Sequence, residues 1–301
     1  MTYQLGGPVQ ASDYNTLIVE VNRLFDTGSG DFGYGGNSVN VPSSSLGSIA
    51  TGSTINNEQW LDLRNAIMDC ATQQGTTLPD AMPSVADLED GDPVEFFVTL
   101  SSAANLLALS TNRLNVNPSF IPFITPQITD TRVASWSSFI QHSFTVTFQD
   151  SDHARYFFNT GGSFTVNASI SGGSATPHNI AWNTILNKLG PFKFAAEDYY
   201  ALTSTSQELR PFDLGPYDYS IGNYTTNTFW TIFGQRLDAQ GPNGGNGSVI
   251  KIISSFLDNN TNSPDVVDGT FTSSVIESKY TDVFDVDSPV YQTIVHLSNG
   301  L

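Results

Sequence analysis

Two runs of alternating apolar and polar residues constrain the fold of this chain more than any other feature of its sequence. They span residues 139–148 and 156–170, and a short polar link, 149–153, joins them. Alternation with a period of two predicts strands that bury one face, so we expect an antiparallel hairpin. Within the second run, residues 159–162 read Asn-Thr-Gly-Gly, which tolerates positive φ and indicates a bulge or tight bend. We expect this hairpin to form the centre of the core of the larger domain.

The polar surface of this protein must come mainly from uncharged side chains. Only 13% of the 301 residues are charged, although 29 acidic against 11 basic residues give a formal net charge of -18. Asn, Ser, Thr, Gln and Gly favour turns, loops and solvent-facing strand positions, so the composition predicts a mainly β protein. Because no cluster of Lys and Arg accompanies the acidic balance, we expect no nucleic-acid binding and no attraction to an anionic membrane.

The single cysteine and the hydropathy pattern indicate the cellular compartment in which we expect this chain. Cys70 is the single cysteine, which excludes an internal disulfide and a cysteine-based zinc site and fits assembly in a reducing cytoplasm. The first residues carry neither a basic nor an apolar signal region, and no apolar run reaches the length of a membrane span. We therefore expect a soluble protein without a membrane partner.

The first 115 residues carry three helical patterns. Apolar residues at helical spacing follow Ser12 and Asn57, which we predict as N-caps, and Gly75 has the position of a C-terminal glycine after the second helix. The third pattern spans residues 94–114. Residues 30–53, between the first two helices, are too rich in Gly, Ser and Asn for a packed element, and we predict an ordered arm that lies on a neighbouring molecule.

A change of pattern divides the chain into two domains. Residues 116–126 contain three prolines and predict an extended linker. Beyond it, strand patterns dominate and one helix is predicted over residues 179–189. We predict an α+β, mainly β chain: a helical module over residues 1–115, the linker, and a jelly-roll-like β-sandwich with one inserted helix over 127–301. The further strand candidates are residues 192–194, 199–203, 217–221, 228–235, 248–256, 269–280 and 290–297.

The motifs that suggest chemistry are each incomplete. Asp26-Thr27-Gly28-Ser29 spells the aspartic-protease string without a second copy. Asp258, Asn260 and Asn262 match the first oxygen-ligand positions of a calcium loop, but the later positions lack the required Gly and Glu. The glycine-rich stretch 241–247 lacks the Lys of a phosphate loop, and the four histidines show no metal-ligand spacing. We therefore predict no catalytic, cofactor-binding or metal-binding residue and no enzymatic activity, and leave a looser calcium site open.

Tyrosines near acidic residues give a second interpretation of the surface. Tyr199, Tyr200, Tyr217 and Tyr219 lie next to or near aspartates, a pattern typical of surfaces that stack on sugars and bond their hydroxyls. Packing in the sandwich core and in interfaces is the alternative, and we favour it. We keep the four tyrosines as candidate glycan contacts. Acidic residues are also numerous enough to supply a glycosidase pair, so the sequence alone does not decide that alternative.

Two blocks of sequence stand out together. The first contains Asp-Tyr-Asn-x-Leu and Val-Asn within 13–22, Gly-Asp-Phe-Gly-Tyr-Gly at 30–35, Trp-Leu-Asp-Leu-Arg-Asn-Ala-Ile at 60–67 and Gln-Gly-Thr at 74–76. The second is Ala-Arg-Tyr-Phe-Phe-Asn-Thr-Gly-Gly at 154–162, with Trp182 in the helix that follows. In this order, the blocks resemble virion structural proteins of tailed phages that infect marine bacteria, notably cyanophages.

The resemblance implies a structural component of a virion, with a tail or neck appendage or a fibre-type protein as the expected place. A capsid decoration protein and a carbohydrate-binding receptor-recognition module are the alternatives. The resemblance carries no enzymatic residues. We expect assembly in the host cytoplasm with other copies of the chain, as a trimer or hexamer, and with neighbouring virion proteins. A host-surface glycan is a further candidate partner.

We predict an assembly interface on the apolar positions of the helical module, because a wide apolar stripe packs against more than one partner. Aromatic and aliphatic side chains of this kind form the buried centre of most protein interfaces. The predicted interface residues are Tyr14, Leu17, Val21, Phe32, Tyr34, Trp60, Leu63, Ile67, Leu100 and Leu107.

Overall fold

The chain folds as two compact units, each built from more than one stretch of sequence. The computed structural model describes residues 9–25, 33–41, 45–86, 93–125, 128–210, 228–238, 247–258 and 266–298. The first unit comprises Met1–Phe123, Asp152–Gly162 and Lys279–Asp287. The second comprises Ile124–Ser151, Ser163–Ser278 and Ser288–Leu301.

Helices form most of the first unit. They are α1 (Ala11–Phe25), α2 (Asn57–Gln74), α3 (Pro93–Leu100), α4 (Ala103–Thr111) and, later in the chain, α5 (Ser151–Asn159). Apolar residues of α1 recur at helical spacing and face α2, where the rings of Tyr14 and Trp60 meet edge to face at 5.1 Å. The core also includes residues from outside the helices, among them Tyr34, Val41 and Phe284.

The ends of α2 follow capping chemistry. Asn56 is the N-cap: its side chain accepts from the backbone N–H of Gln59, and Gln59 Oε1 accepts from the backbone N–H of Asn56, both at 2.9 Å. The predicted cap, Asn57, is therefore wrong by one residue, because the reciprocal bond requires Gln59 three positions after the cap. Gly75 ends the helix with φ 66°, as predicted.

The third predicted helix, 94–114, is two helices. α3 ends at Leu100, and Ser102 caps α4 by accepting from the backbone N–H of Asn105 at 3.2 Å. Ser102 also donates to the carboxylate of Asp80 at 2.5 Å. Serine offers the backbone an alternative to helical bonds, and this explains the break in a continuous apolar pattern.

Two sheets of antiparallel strands form the second unit. One sheet has the order β1-β9-β4-β5, with β2 also paired to β9, and the other has the order β10-β3-β8-β7-β6. The strands are β1 (Phe123–Ile124), β2 (Ile128–Arg132), β3 (Phe139–Thr147), β4 (Ser163–Ser171), β5 (Phe192–Phe194), β6 (Gln207–Arg210), β7 (Thr228–Arg236), β8 (Val249–Asp258), β9 (Thr270–Lys279) and β10 (Val290–Ser298). Two helices accompany them, α6 (Pro177–Leu189) and α7 (Ala196–Ala201). The arrangement is sandwich-like and confirms the predicted α+β, mainly β fold.

Aromatic side chains join the two sheets of this unit. Phe256 on β8 meets Phe271 on β9 at 5.0 Å between ring centroids, and Phe164 on β4 packs edge to face on Tyr291 of β10 at 5.8 Å. Along β8 the residues alternate strictly between partly and fully buried, as a strand with one face in the core requires. The core of the second unit therefore lies between the sheets.

The predicted hairpin of residues 139–170 is wrong. Its first strand exists as β3, but residues 151–159 form α5, and β3 and β4 belong to different sheets. Ala154, Phe157 and Phe158 lie at helical spacing and are all fully buried, so the run has the periodicity of a helix as well as that of a strand. The double glycine stands at the turn between α5 and β4.

Two other strand predictions have different outcomes. The strand predicted over 199–203 is wrong, because residues up to Ala201 belong to α7, whose first turn carries Glu197 and Asp198 as acidic residues do at helix N-termini. The strand predicted over 217–221 lies outside the described residues. The inserted helix predicted over 179–189 is confirmed as α6, which starts two residues earlier with Pro177 in its first turn.

Candidate assembly module

The two sequence blocks that carry the phage resemblance meet in the first unit. Asn159, at the end of α5, donates from Nδ2 to the carbonyl oxygen of Gly33 at 2.7 Å, across 126 positions of sequence. Gly35 lies against the ring of Tyr156, and a Cβ on Gly35 would come within 2.8 Å of that ring. Glycine is needed where a ring approaches the backbone so closely. The blocks therefore form one structural contact.

The double glycine after α5 fits a crowded turn. Gly161 has φ 93°, and a Cβ there would lie 2.2 Å from the nearest side-chain carbon. At Gly162 a Cβ would lie 2.5 Å from the carbonyl oxygen of Phe157. The carbonyl oxygen of Thr160 accepts from Nε2 of the buried Gln73 at 3.0 Å, so α2 holds this turn in place. These residues act through conformation and packing.

Residues 33–41 and 45–53, which we call the strap, are bound to α1 by two asparagines. Asn15 donates from Nδ2 to the carbonyl oxygen of Ile49 at 2.9 Å and accepts from the N–H of Ile49 at 2.8 Å. Asn22 makes the same pair of bonds with Leu46, both at 3.0 Å. A spacing of seven residues places both asparagines on one face of the helix. Each amide thus satisfies both backbone groups of one strap residue.

A buried carboxylate on α2 holds the other part of the strap. Asp69 accepts from Asn40 Nδ2 at 2.5 Å and from the hydroxyl of Ser38. Ser38 in turn accepts from the backbone N–H of Val41 at 2.9 Å. Burial raises the pKa of Asp69, and the hydrogen bonds from Ser38 and Asn40 oppose that rise. Side-chain partners for this group come from the strap itself.

The strap lies on the helices of its own chain, which corrects the prediction of an arm on a neighbouring molecule. Val41, Leu46 and Ile49 are buried in the core that α1 and α2 share. A segment rich in Gly and Ser can pack in this way because groups other than a sheet ladder bond its backbone: Asn15 and Asn22 bond Ile49 and Leu46, and the carbonyl oxygen of Phe25 accepts from the N–H groups of Tyr34 and Gly36.

Replacing Asn22 by aspartate is expected to release one end of the strap. The carboxylate still accepts from the N–H of Leu46 but repels the carbonyl oxygen that Nδ2 now contacts. With a hydrogen bond worth about 1 kcal/mol, the amide of Leu46 should exchange with solvent deuterium roughly five- to tenfold faster. Asn187→Asp, on the exposed face of α6, is the control and should leave that rate unchanged. Equal rates in wild type and Asn22→Asp would contradict the strap contact.

Most of the predicted interface residues are used inside the first unit. Each of these residues is at most 4% exposed, which leaves it no surface to offer a second chain. They pack in one cluster, and Tyr34 also donates from its hydroxyl to the carbonyl oxygen of Arg113 at 2.8 Å. Leu107 differs, since 68% of its surface is exposed, and Phe32 lies outside the described residues. The buried residues are Tyr14, Leu17, Val21, Tyr34, Trp60, Leu63, Ile67 and Leu100.

The surface of the first unit has exposed apolar side chains and a groove. Val19, Val39 and Leu107 are large apolar side chains exposed by 66%, 74% and 68%. A groove of about 620 Å³ lies beside α2, and Met68 and Met82 are among its lining residues.

A buried polar cluster anchors α6 in the second unit. Asp258, at the end of β8, accepts from the indole N–H of Trp182 at 2.7 Å and is hydrogen-bonded to Nε2 of His178. All three side chains are at most 3% exposed. A carboxylate oxygen of Asp258 is thus engaged inside the fold, which gives this residue a structural role in place of the first position of a calcium loop. Asn260 and Asn262 lie outside the described residues.

A second aspartate holds the first turn of α6. Asp268 accepts from the backbone N–H of Ser174 at 2.9 Å and from Nδ2 of Asn179, while its own N–H donates to Asn179 Oδ1 at 3.0 Å. The side-chain hydrogen bonds from Ser174 and Asn179 lower the pKa of Asp268. Asp258 and Asp268 therefore fix two consecutive residues at the start of one helix, His178 and Asn179.

Of the four candidate glycan contacts, Tyr199 and Tyr200 lie in the described residues, and neither is exposed. Tyr199 is fully buried and donates from its hydroxyl to the carbonyl oxygen of Gly247 at 3.0 Å. The guanidinium carbon of Arg236 lies 5.7 Å from the centroid of its ring. Tyr200 is half-buried and packs edge to face on Tyr199 at 5.1 Å. A fully buried ring offers no face to a sugar.

Several motifs lie outside the described residues, namely Asp26-Thr27-Gly28-Ser29, Tyr217, Tyr219 and residues 241–246. Within the described part of the chain, no three His, Cys, Asp or Glu side chains group so as to hold a metal ion. Among the helices of that part, none has both the length and the apolar character that crossing a membrane requires.

Comparison with known proteins adds no relative to this picture. A scan against protein-family models, a search of curated proteins and a search of solved structures each found no match for this chain. The candidate site therefore rests on the contacts within the chain.

Sequence reasoning missed the residues that hold the module together. The predictions for α1 and α2 used the apolar residues of these helices. Asn15, Asn22 and Asp69 lie in the same helices, and each forms a polar contact with the strap. One signal was present: two asparagines seven residues apart on one helix, followed by a segment with no secondary structure of its own.

Proposed function

We propose that this chain is a structural component of the virion of a tailed phage and that it works through protein–protein assembly, in a tail, neck or fibre-type appendage. The observation that carries the proposal is the contact between the two sequence blocks of the phage resemblance. Residues of both blocks hold the strap and the turn after α5 in fixed conformations. A rigid module that presents surface to other proteins needs residues of this kind.

The exposed apolar side chains of the first unit support an assembly role. Val19, Val39 and Leu107 would each lose unfavourable contact with water on docking against another protein. Positions of this kind form the centre of an interface, whereas the buried stripe of α1 and α2 stabilises the unit itself.

The partners in this proposal are other copies of the chain, as a trimer or hexamer, and neighbouring virion proteins. A formal net charge of -18 keeps unassembled subunits apart in the host cytoplasm until specific contacts outweigh the repulsion. A capsid decoration protein would use the same physical features, so the place of the protein on the particle distinguishes the two.

The test is to locate the protein in intact particles. Antibodies raised against the recombinant chain are used for immunogold labelling of purified phage, and quantitative mass spectrometry gives the number of copies per particle. We expect label on the tail or neck and a copy number that fits trimers or hexamers. Label spread over the capsid would favour the decoration protein. A chain that is abundant in infected cells but absent from particles would contradict the proposal.

A further inference from the structure

We infer that the groove beside α2 binds a short segment of another protein that carries a carboxylate next to apolar side chains, with Arg64 as the partner of the carboxylate. The groove has a volume of about 620 Å³, within the range of known ligand sites, and is open to solvent. The inference deepens the proposed function, because it states the chemistry of one partner. It rests on that function for the source of the segment, a neighbouring virion protein.

One wall of the groove is a face of α2. Arg64, Met68, Ala71 and Thr72 line it at helical spacing, so their side chains lie on one side of the helix. From Arg64 to Thr72 the helix rises by about 12 Å, a length that three to four residues of extended chain would span. The groove therefore fits a short peptide segment.

A second part of the lining, within residues 76–82, is held in place by the chain itself. The buried Asn105 of α4 donates from Nδ2 to the carbonyl oxygen of Asp80 at 3.0 Å and accepts from the N–H of Asp80 at 2.9 Å. Nε of Arg64 donates to the carbonyl oxygen of Pro83 at 2.7 Å, which ties the end of this segment to α2. A groove that is formed before binding saves the entropy of ordering it.

The polar side chains of the lining other than the charged ones are bonded within the chain. The hydroxyl of Thr72 donates to the carbonyl oxygen of Met68 at 2.7 Å, and that of Thr76 donates to Oε1 of Gln74 at 3.0 Å. Asn117 donates from Nδ2 to the carbonyl oxygen of Thr72 at 3.0 Å. A ligand therefore meets mainly apolar surface, to which apolar side chains bind best. The apolar lining residues are Met68, Ala71, Leu78, Ala81, Met82 and Pro118.

Arg64 supplies the positive charge of the groove. Its Nε and Nη1 donate to Pro83 and to Oδ1 of Asn65, the latter at 3.2 Å, and these two bonds fix the plane of the guanidinium. Nη2 makes no hydrogen bond to the described residues. A guanidinium held in one orientation beside apolar surface favours a carboxylate, because the hydrogen bond between the two is assisted by charge.

Asp80, the acidic residue of the lining, does not cancel this preference. Its carboxylate accepts from the hydroxyl of Ser102, the N-cap of α4, where the partial positive charge of the helix end stabilises it. Within the described residues no ion pair joins Asp80 to Arg64. The charge of Arg64 is therefore left for a ligand.

Magnetic resonance of the methionine methyl groups tests the groove directly. The chain has three methionines, of which Met68 and Met82 line the groove, so labelling these methyl groups with ¹³C gives few signals, and Met68→Leu and Met82→Leu assign them. The probe is the peptide acetyl-Leu-Ala-Leu with a free C-terminal carboxylate. We expect the signals of Met68 and Met82 to shift on titration, with a dissociation constant of about 1 mM or lower.

Two further peptides identify the chemistry of the ligand. The C-terminal amide of the same peptide lacks the carboxylate and should bind roughly tenfold more weakly. Acetyl-Leu-Ala-Leu-Asp amide carries its carboxylate on a side chain. Tighter binding of this peptide than of the free acid would identify an internal acidic segment as the natural partner, and weaker binding would identify a chain terminus.

Variants of the full chain locate the site. Arg64→Gln and Arg64→Lys both alter the bond to Pro83, so a difference between them reports on the charge: the lysine variant should keep a preference for the free carboxylate, and the glutamine variant should lose it. Arg23→Gln, at an exposed position of α1, is the matched control and should bind like the wild type. Ala81→Trp, at an exposed position of the lining, should fill the groove and block both peptides.

Three results would each overturn the inference: methionine signals that stay in place up to about 10 mM peptide, equal affinities for the free acid and the amide, or unchanged binding in Ala81→Trp. Absence of the protein from particles would instead contradict the proposed function, and peptide binding by the purified chain would stand.

Discussion

Replacing Asp258 by alanine is expected to lower the free energy of unfolding by about 3–5 kcal/mol, because it breaks a buried polar cluster from one side. The substitution removes the acceptor that the ring of His178 and the indole N–H of Trp182 share, and both groups stay buried. Chemical denaturation followed by tryptophan fluorescence measures the loss, since Trp136, Trp182 and Trp230 all belong to the second unit.

Two matched variants serve as controls for this result. Asp258→Asn keeps the shape and an acceptor oxygen, so its loss should be smaller than that of Asp258→Ala. Asp282→Ala removes a carboxylate from an exposed position and should change stability by no more than about 0.5 kcal/mol. If Asp258→Ala were as stable as Asp282→Ala, the cluster would have no anchoring role for α6.

Replacing Gly161 by alanine is expected to destabilise the first unit by about 2–4 kcal/mol. The backbone has φ 93°, which a residue with a side chain rarely adopts, and the new Cβ would lie 2.2 Å from Cγ2 of Val116 and 3.0 Å from the ring of Tyr280. Thermal unfolding of the purified variant measures the effect. The conformation and the crowding both oppose the substitution.

Substitutions at two other glycines separate the effect of the backbone conformation from that of the crowding. Gly172 has φ 67° but no atom within 4 Å of the added Cβ, so Gly172→Ala should cost only the backbone strain of about 1–2 kcal/mol. Gly47 has neither a positive φ nor a close neighbour, and Gly47→Ala should be neutral or slightly stabilising. The expected order of destabilisation is Gly161, Gly172, Gly47. Equal losses at Gly161 and Gly172 would show that the contact with Val116 and Tyr280 is unimportant.

The helical period of its apolar stripe made α1 predictable from sequence. β8 alternates in burial along all of its residues, but apolar and polar residues do not alternate in its sequence, Val-Ile-Lys-Ile-Ile-Ser-Ser-Phe-Leu-Asp. The N-cap of α2 was harder to predict from sequence. Two adjacent asparagines, Asn56 and Asn57, precede the body of α2, and the position of Gln59 decides between them.

The stretch around α5 shows why the remainder could not be predicted. Apolar residues there satisfy both a period of two and a helical period, so local sequence does not choose. Contacts with distant residues accompany the helical outcome: Asn159 bonds Gly33, and Thr160 bonds Gln73. A single sequence carries no record of such pairs.

The polar contacts of the candidate site could not be predicted for the same reason, since their partners lie far apart in sequence. Asp258 stood in a calcium-like string, yet its partners Trp182 and His178 precede it by 76 and 80 positions. Asp69 and its strap partners are 29 and 31 positions apart. Residue type indicated a polar role in each case, and only the fold identified the partner.

The way the strap is held has a consequence for protein engineering. The side chains of Asn15 and Asn22 are hydrogen-bonded to backbone atoms of Ile49 and Leu46. These hydrogen bonds therefore do not depend on which side chains the strap carries. Positions such as Ser48 and Ala50 are exposed. Peptide tags or labels attached there would leave the hydrogen bonds of Asn15 and Asn22 and the underlying core unchanged. The strap is therefore a suitable place to label the protein inside an assembled particle.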